Sequence, residues 1–279
     1  MDYLKAIFLG LVQGLTEFLP VSSSGHLALA QTVFGIEDTP LVFDVLLHLG
    51  TLTAVCAAFW KDIITVLREF GRMIASLFGR RETKKPPPAR RLVLLLIMGS
   101  LPLLLAILLS GLAALAMKTL IAVGLLLCAT GVILYVSDRF PRGQKDEKNA
   151  TVIDALIIGV CQGIAVLPGL SRSGATISAG LFRKFDRAFA VRFSFLLSIP
   201  AILGATFVEL IKVLSAKPLP AESVVEISAG HCIVGALVAA LTGYIAIGMV
   251  KWLIGKGKFG YFAWYCLGIG LVTIVVSLL

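Results

Sequence analysis

Hydrophobic positions along this chain fall into long runs rather than short alternating patches. Runs at residues 41–60, 92–116, 119–137, 193–214, 228–250 and 260–279 each approach the length of about 20 residues that a helix needs to cross a bilayer core. Two further apolar stretches, 3–35 and 151–182, are broken near their middles. Pro20 and the serines after it interrupt the first, and Pro168-Gly169 interrupts the second. Neither half of either stretch is a comfortable span, so each is predicted to be a re-entrant helix pair. The polar residues gather between the runs. Lys61–Arg91 holds nine Lys/Arg and the run Pro86-Pro87-Pro88, which makes its second part a stiff, non-helical linker. Asp138–Lys148 is charged, Arg183–Arg192 is basic, and Lys251, Lys256 and Lys258 separate the last two spans.

The basic loops orient the chain. With Lys61–Arg91 in the cytoplasm and both broken pairs re-entrant, all four basic loops fall on the cytoplasmic side. Counting each broken pair as a full crossing would divide them between two faces. The expected fold is therefore an all-α polytopic membrane protein with six full spans, one domain over residues 1–279, and periplasmic N- and C-termini. Its halves, 1–137 and 138–279, each hold a broken pair and three spans in opposite orientation. That is an inverted-topology repeat. An ungapped offset of 149 sets QGLTEFLPVSSSG (Gln13–Gly25) over QGIAVLPGLSRSG (Gln162–Gly174). It matches Gln13/Gln162, Gly14/Gly163, Ser22/Ser171, Ser24/Ser173 and Gly25/Gly174, with Gly10/Gly159 upstream completing GxxxG in both copies. The GxxxG pairs suit close packing within the protomer or a homodimer equally.

Composition agrees. The chain has 279 residues, 58% of them apolar, well above a soluble domain. Its net charge of +9, from 25 basic and 16 acidic residues, would suggest nucleic acid in a soluble protein. Here the bases occupy loops between spans, so no nucleic-acid partner is expected. The five cysteines are scattered singly, with no CxxC, and read as small buried hydrophobes. The first apolar run carries Gln13 and Glu17 and lacks a small-residue cleavage pattern, so no cleaved signal is expected.

Charged groups are costly inside a membrane and mark function. Glu17 lies one helical turn beyond Gln13 and shares its face, a face suited to a divalent cation or a proton. Ser22, Ser23 and Ser24 follow a proline and precede a helix, where they cap the helix start and where N–H groups attract anions. His26 is the natural acid–base group. In the second copy Val166 replaces Glu17 and Arg172 replaces Ser23. Arginine offers a fork suited to phosphate, with Ser171, Ser173 and Thr176 as further donors. The duplicated site is thus divided, with acid–base and nucleophilic groups in one half and the cationic clamp in the other. His48 either lines the cavity or bonds a neighbouring helix. Asp44 is expected to cap its span and Glu209 to reach the interface.

QGLTEFLPVSSSGH and PGLSRSGATIS resemble the two signature motifs of the undecaprenyl-diphosphate phosphatase family of the bacitracin-resistance type, and FDVLLHLGT and RFSFLLSIPA extend the resemblance along essentially the whole chain. The resemblance implies a bacterial inner-membrane enzyme, open to the periplasm, that removes one phosphate from undecaprenyl diphosphate to regenerate the lipid carrier of cell-wall synthesis. It implies a divalent cation, Mg²⁺ or Ca²⁺, with Gln13 and Glu17 as its element. It also implies Ser23 and His26 as the serine–histidine pair, and Arg172 with Ser171, Ser173 and Thr176 as the arginine element. Membrane lipids and the polyprenyl diphosphate are the expected partners, with bacitracin competing for the substrate rather than binding the protein. The roles implied are Arg172 holding the diphosphate, Glu17 binding the cation or acting as base, and Ser23 or His26 attacking phosphorus; if Ser23 attacks, His26 is the acid–base.

Two other families share part of this pattern. The type-2 phosphatidic acid phosphatase signature shares a Ser-Gly-His, but Ser178 stands where its nucleophilic histidine belongs and Phe182 where its aspartate belongs. A polyprenyl-phosphate flippase or transporter would share the inverted repeat. A Glu/Ser/His/Arg cluster exceeds what transport requires.

Overall fold

The computed structural model describes residues 2–34, 41–78, 88–215 and 228–278. The broken pairs are α1 (Tyr3–Phe18) with α2 (Ser23–Phe34), and α8 (Val152–Ile164) with α9 (Arg172–Phe182). Between them lie α3 (Leu41–Ala58), α4 (Trp60–Leu77), α5 (Pro88–Ser100), a 3-10 turn (Leu101–Leu103), α6 (Leu104–Met117) and α7 (Leu120–Asp138). After them come α10 (Arg187–Ser215), α11 (Ala229–Gly255) and α12 (Gly260–Leu278). Among the described residues there is no strand; Lys145 and Phe185 form one isolated bridge. Among the described residues six segments are long and apolar enough to cross a membrane: α3, α5 through α6, α7, α10, α11 and α12.

Two stretches depart from the sequence expectation. The run 92–116 falls within one spanning segment, but its helix is interrupted by the 3-10 turn at Leu101–Leu103, where Pro102 has no N–H to give the helix ladder. Lys61–Leu77 is a helix. One face of α4 exposes Trp60, Leu67, Phe70 and Ile74, with Lys61, Arg68 and Arg72 beside it, the form of a helix lying in a lipid interface. The linker expected around Pro86-Pro87 lies outside the described residues. Pro88 is the first residue of α5, where a missing N–H costs nothing.

Without a hydrophobic drive between helices in lipid, close packing must hold the bundle. The GxxxG glycines supply it. A Cβ on Gly10 would stand 2.5 Å from Gly235 O, and one on Gly14 would stand 2.5 Å from Ala239 O, so α1 lies directly on α11. A Cβ on Gly159 would stand 2.2 Å from Gly99 O, and one on Gly163 2.7 Å from Pro102 O, so α8 lies on α5 and its 3-10 turn. All four glycines are used within the protomer. Each broken pair therefore packs on a span of the other half. The third spans pair as well: a Cβ on Gly124 of α7 would stand 2.8 Å from Gly270 O of α12. Phe195 of α10 meets Phe18 at 5.6 Å and Phe59 at 5.8 Å between ring centroids.

Described residues of the four basic loops meet at one end of the bundle. Arg192 donates to Asp62 at 2.7 Å and to Glu147 at 3.4 Å. Arg187 donates to Asp138 Oδ1 at 3.3 Å and to Ile254 O at 3.4 Å, and Gly260 N donates to Asp138 Oδ2 at 3.0 Å. Asp154, outside the six spans in the first turn of α8, accepts from Lys145 at 2.9 Å and from Arg183 at 2.6 Å. Burial opposes charging its carboxyl, yet Lys145, the Thr151 N–H and Arg183 outweigh burial and hold it down to about 2. So α8 begins at this end. Tyr3, at the start of α1, instead stacks on His231 at 4.2 Å, at the opposite end of α11. The two broken pairs enter from opposite ends and meet inside.

Candidate active site

The two helix breaks are built alike. α1 stops because Leu19 precedes Pro20 and turns extended (φ −63°, ψ 142°). Ser22 then takes a left-handed φ of 71°, which costs a non-glycine residue about 1–2 kcal/mol. Ser22 Oγ accepts from Gly25 N at 3.3 Å and lies 3.3 Å from Ser24 Oγ. In the second copy Gly169 supplies the left-handed residue (φ 98°). Ser171 Oγ accepts from Gly174 N at 3.1 Å and lies 3.2 Å from Ser173 Oγ. The matched serines are thus matched helix caps, as the sequence suggested. Each break is also tied to a third span. Thr130 of α7 donates to Gly169 O at 2.9 Å and accepts from Ser171 N at 3.1 Å. Cys266 of α12 directs its thiol at Pro20 O, 3.5 Å away.

The breaks touch one another. Ser173 Oγ donates to Leu19 O at 3.1 Å. Arg172 Nη2 donates to Glu17 Oε1 at 2.5 Å. On its other oxygen Glu17 accepts from Ser23 Oγ at 2.8 Å and from Gln13 Nε2 at 3.1 Å. A small cavity of about 60 Å³ opens here, lined by Thr16, Glu17, Ser22, Ser23, Ser24, Ala165, Leu170, Ser171 and Arg172. A chain of groups therefore runs Arg172–Glu17–Ser23 across the two halves. A carboxylate that accepts from a serine hydroxyl is placed to take its proton.

Most of the expected site residues come together, and some do not. Ser22, Ser23, Ser24, Ser171 and Arg172 line the cavity with Glu17. Gln13 sits behind Glu17, fully buried. Ser173 is spent on Leu19 O, and Thr176 Oγ1 lies 2.5 Å from Ser194 Oγ between helices, so neither lines the cavity. His26 is engaged away from Ser23: its Nδ1 lies 2.8 Å from Ser22 O and its Nε2 2.8 Å from the Tyr265 hydroxyl. The nearest partner of Ser23 is thus Glu17, not His26. His48 Nδ1 lies 2.9 Å from Asp44 O of its own helix, and among the described residues it makes no hydrogen bond to a neighbouring helix. Asp44 lies within the first turn of α3. Because α10 runs on to Ser215, Glu209 sits inside the helix, with one buried carboxylate oxygen that has no hydrogen-bond partner among the described residues.

A divalent cation can be weighed against these donors. Among the described residues no three His, Cys, Asp or Glu converge. The fit rests on Glu17 and on Gln13 Oε1, a buried oxygen with no partner among the described residues. Hard oxygens of this kind suit Mg²⁺ or Ca²⁺ when phosphate oxygens and water complete the shell. Sequence reasoning missed Thr130, Cys266 and Tyr265. A lone hydroxyl, thiol or phenol in an apolar run carries no periodic signal; only the fold shows what it faces.

The chain is similar to known proteins along its length. The chain is 39% identical to an undecaprenyl-diphosphatase of Methanosphaera stadtmanae, covering 99% of both chains. It is 42% identical to one of Desulfosudis oleivorans over the full length of both, and 40% identical to one of Alkaliphilus metalliredigens, again over the full length. The family model described as bacitracin resistance protein BacA matches residues 6–272, and so the chain belongs to the BacA family of bacitracin resistance proteins.

Proposed function

We infer that this protein is a multi-pass membrane phosphatase that hydrolyses undecaprenyl diphosphate to undecaprenyl phosphate and inorganic phosphate. The observation that carries the reading is the Arg172–Glu17–Ser23 chain across the two breaks. The lipid tail lies among the helices and the diphosphate head enters between the breaks. Arg172 and the first-turn N–H groups of α2 and α9 hold the terminal phosphate. Ser23 Oγ attacks the terminal phosphorus and gives its proton to Glu17. The P–O bond to the lipid monophosphate breaks as the new O–P bond forms. Water then attacks the phosphorus of the phosphoserine, giving up a proton as the Ser23 Oγ–P bond breaks, and Oγ takes its proton back from Glu17 as inorganic phosphate leaves. His26 lies one turn beyond Ser23 on the same face of α2 and is the second acid–base group for that step. Glu17 and Gln13 would hold a divalent cation, which when bound neutralises the phosphate oxygens.

The gathering of the basic loops at one end supports a cytoplasmic face there. On that assignment α1 enters from the periplasmic side and the site opens to the periplasm of a bacterial inner membrane. The exchanged packing of the broken pairs supports two inverted repeats. Bacitracin then acts on the same lipid diphosphate that the enzyme removes. A transporter would share the architecture, but transport alone gives no reason for a serine held on a carboxylate.

The test is phosphate release from undecaprenyl diphosphate in detergent micelles, with and without chelator. Turnover is expected to cease in Ser23→Ala and with chelator, while His26→Ala stalls with phosphate on the enzyme. Unchanged turnover in Ser23→Ala overturns the nucleophile. Unchanged turnover with chelator overturns the cation.

A further inference from the structure

His26 belongs to the reacting segment, yet its contacts lead away from the cavity. Its Nδ1 lies 2.8 Å from Ser22 O. A carbonyl can only accept, so Nδ1 carries a proton. Nε2 is therefore the nitrogen at which His26 gains or gives up a proton. That nitrogen lies 2.8 Å from the hydroxyl of Tyr265 on α12. The two rings are nearly parallel, 8° apart, with centroids 5.6 Å from one another. The next residue, Cys266, points at Pro20 O, so α12 holds the first break at two adjacent positions. Tyr265 is half-exposed.

We propose that Tyr265 is a positioning residue of the phosphatase, orienting His26 through the nitrogen that exchanges protons. The proposal rests on the reading of His26 as the second acid–base group. A phenol donates to the bare nitrogen and accepts from the protonated one, so it can follow His26 through both states. Tyr265 comes from the second half of the chain while His26 comes from the first, as Arg172 and Glu17 do. Phenylalanine at this position keeps the ring contact and loses only the hydroxyl.

The experiment pairs ¹⁵N NMR on histidine-labelled protein with steady-state kinetics, both in micelles. The chain has three histidines, and His26→Gln assigns the signal. Tyr265→Phe is expected to shift the His26 Nε2 resonance and leave His48 and His231 in place. It is expected to lower kcat about 2- to 13-fold with KM within about twofold, the effect of one lost hydrogen bond. In the His26→Gln background Tyr265→Phe is expected to add nothing. An unshifted resonance overturns the proposal, as does an equal loss in both backgrounds. Full turnover by His26→Gln overturns instead the acid–base reading beneath it, even with the resonance shifted, so the two failures are distinguishable.

Discussion

Replacing Arg172 by lysine keeps the charge and removes the fork. In the structure one guanidinium nitrogen is 2.5 Å from Glu17 Oε1, and the two side chains are only 16% and 8% exposed. The remaining N–H groups are those free to turn toward a phosphate. An ammonium can serve Glu17 or the phosphate well, but not both with the same geometry. One charge-assisted hydrogen bond contributes about 1.5–3 kcal/mol, so kcat/KM should fall about 10- to 150-fold in Arg172→Lys. Arg172→Ala loses bonds on both sides, about 3–6 kcal/mol in all, or about 10²- to 10⁴-fold. It also leaves Glu17 buried without its cation, so stability falls with activity. Adding Glu17→Gln to Arg172→Ala should restore stability without restoring turnover. Initial rates of phosphate release, run beside thermal unfolding in the same detergent, separate the two effects. Wild-type kcat/KM in Arg172→Lys would refute the reasoning, and so would an Arg172→Ala defect that Glu17→Gln repairs.

Gly14→Ala should disrupt α1 on α11, since its Cβ would stand 2.0 Å from Thr242 Oγ1 and 2.5 Å from Ala239 O. The expected cost is about 1–3 kcal/mol, read as a lower Tm. Gly111→Ala, which meets nothing within 4 Å, is the control expected to keep or slightly raise the wild-type Tm. Asp154→Asn should cost about 1–3 kcal/mol, because the buried carboxyl loses Lys145 and Arg183 while those partially exposed cations stay solvated. Held down to about 2, the Asp154 carboxyl contributes its stability above about pH 4, the ordinary aspartate value. The wild type's advantage over Asp154→Asn should therefore shrink as pH falls toward 2, measured by unfolding across that range.

The spans were legible because length and apolarity alone decide what crosses a bilayer. The breaks were legible because Pro20 and Pro168-Gly169 cannot continue a helix. The turn at Pro102 was hidden because its flanks are as apolar as the rest of the run. α4 was hidden because its charges mask a helical stripe spaced at Leu67, Phe70 and Ile74. Within the site, residue types singled out Glu17, Ser23 and Arg172, which the fold brings together, but not how they pair. Serine next to histidine in sequence suggested a serine–histidine couple. The left-handed turn at Ser22 aims Ser23 at Glu17 and His26 at Ser22 O and Tyr265 instead. Spacing along a helix that begins at a strained turn does not reveal those directions.

The central claim is that Ser23, held by Glu17 and opposed by Arg172, receives the phosphate. The most direct measurement is rapid acid and alkaline quenching of enzyme turning over undecaprenyl diphosphate, followed by mass mapping of the modified residue. The account predicts an acid-stable phosphate on Ser23 that accumulates in His26→Ala and is absent from Ser23→Ala. An acid-labile phosphate on His26, or continued turnover in Ser23→Ala, would contradict it.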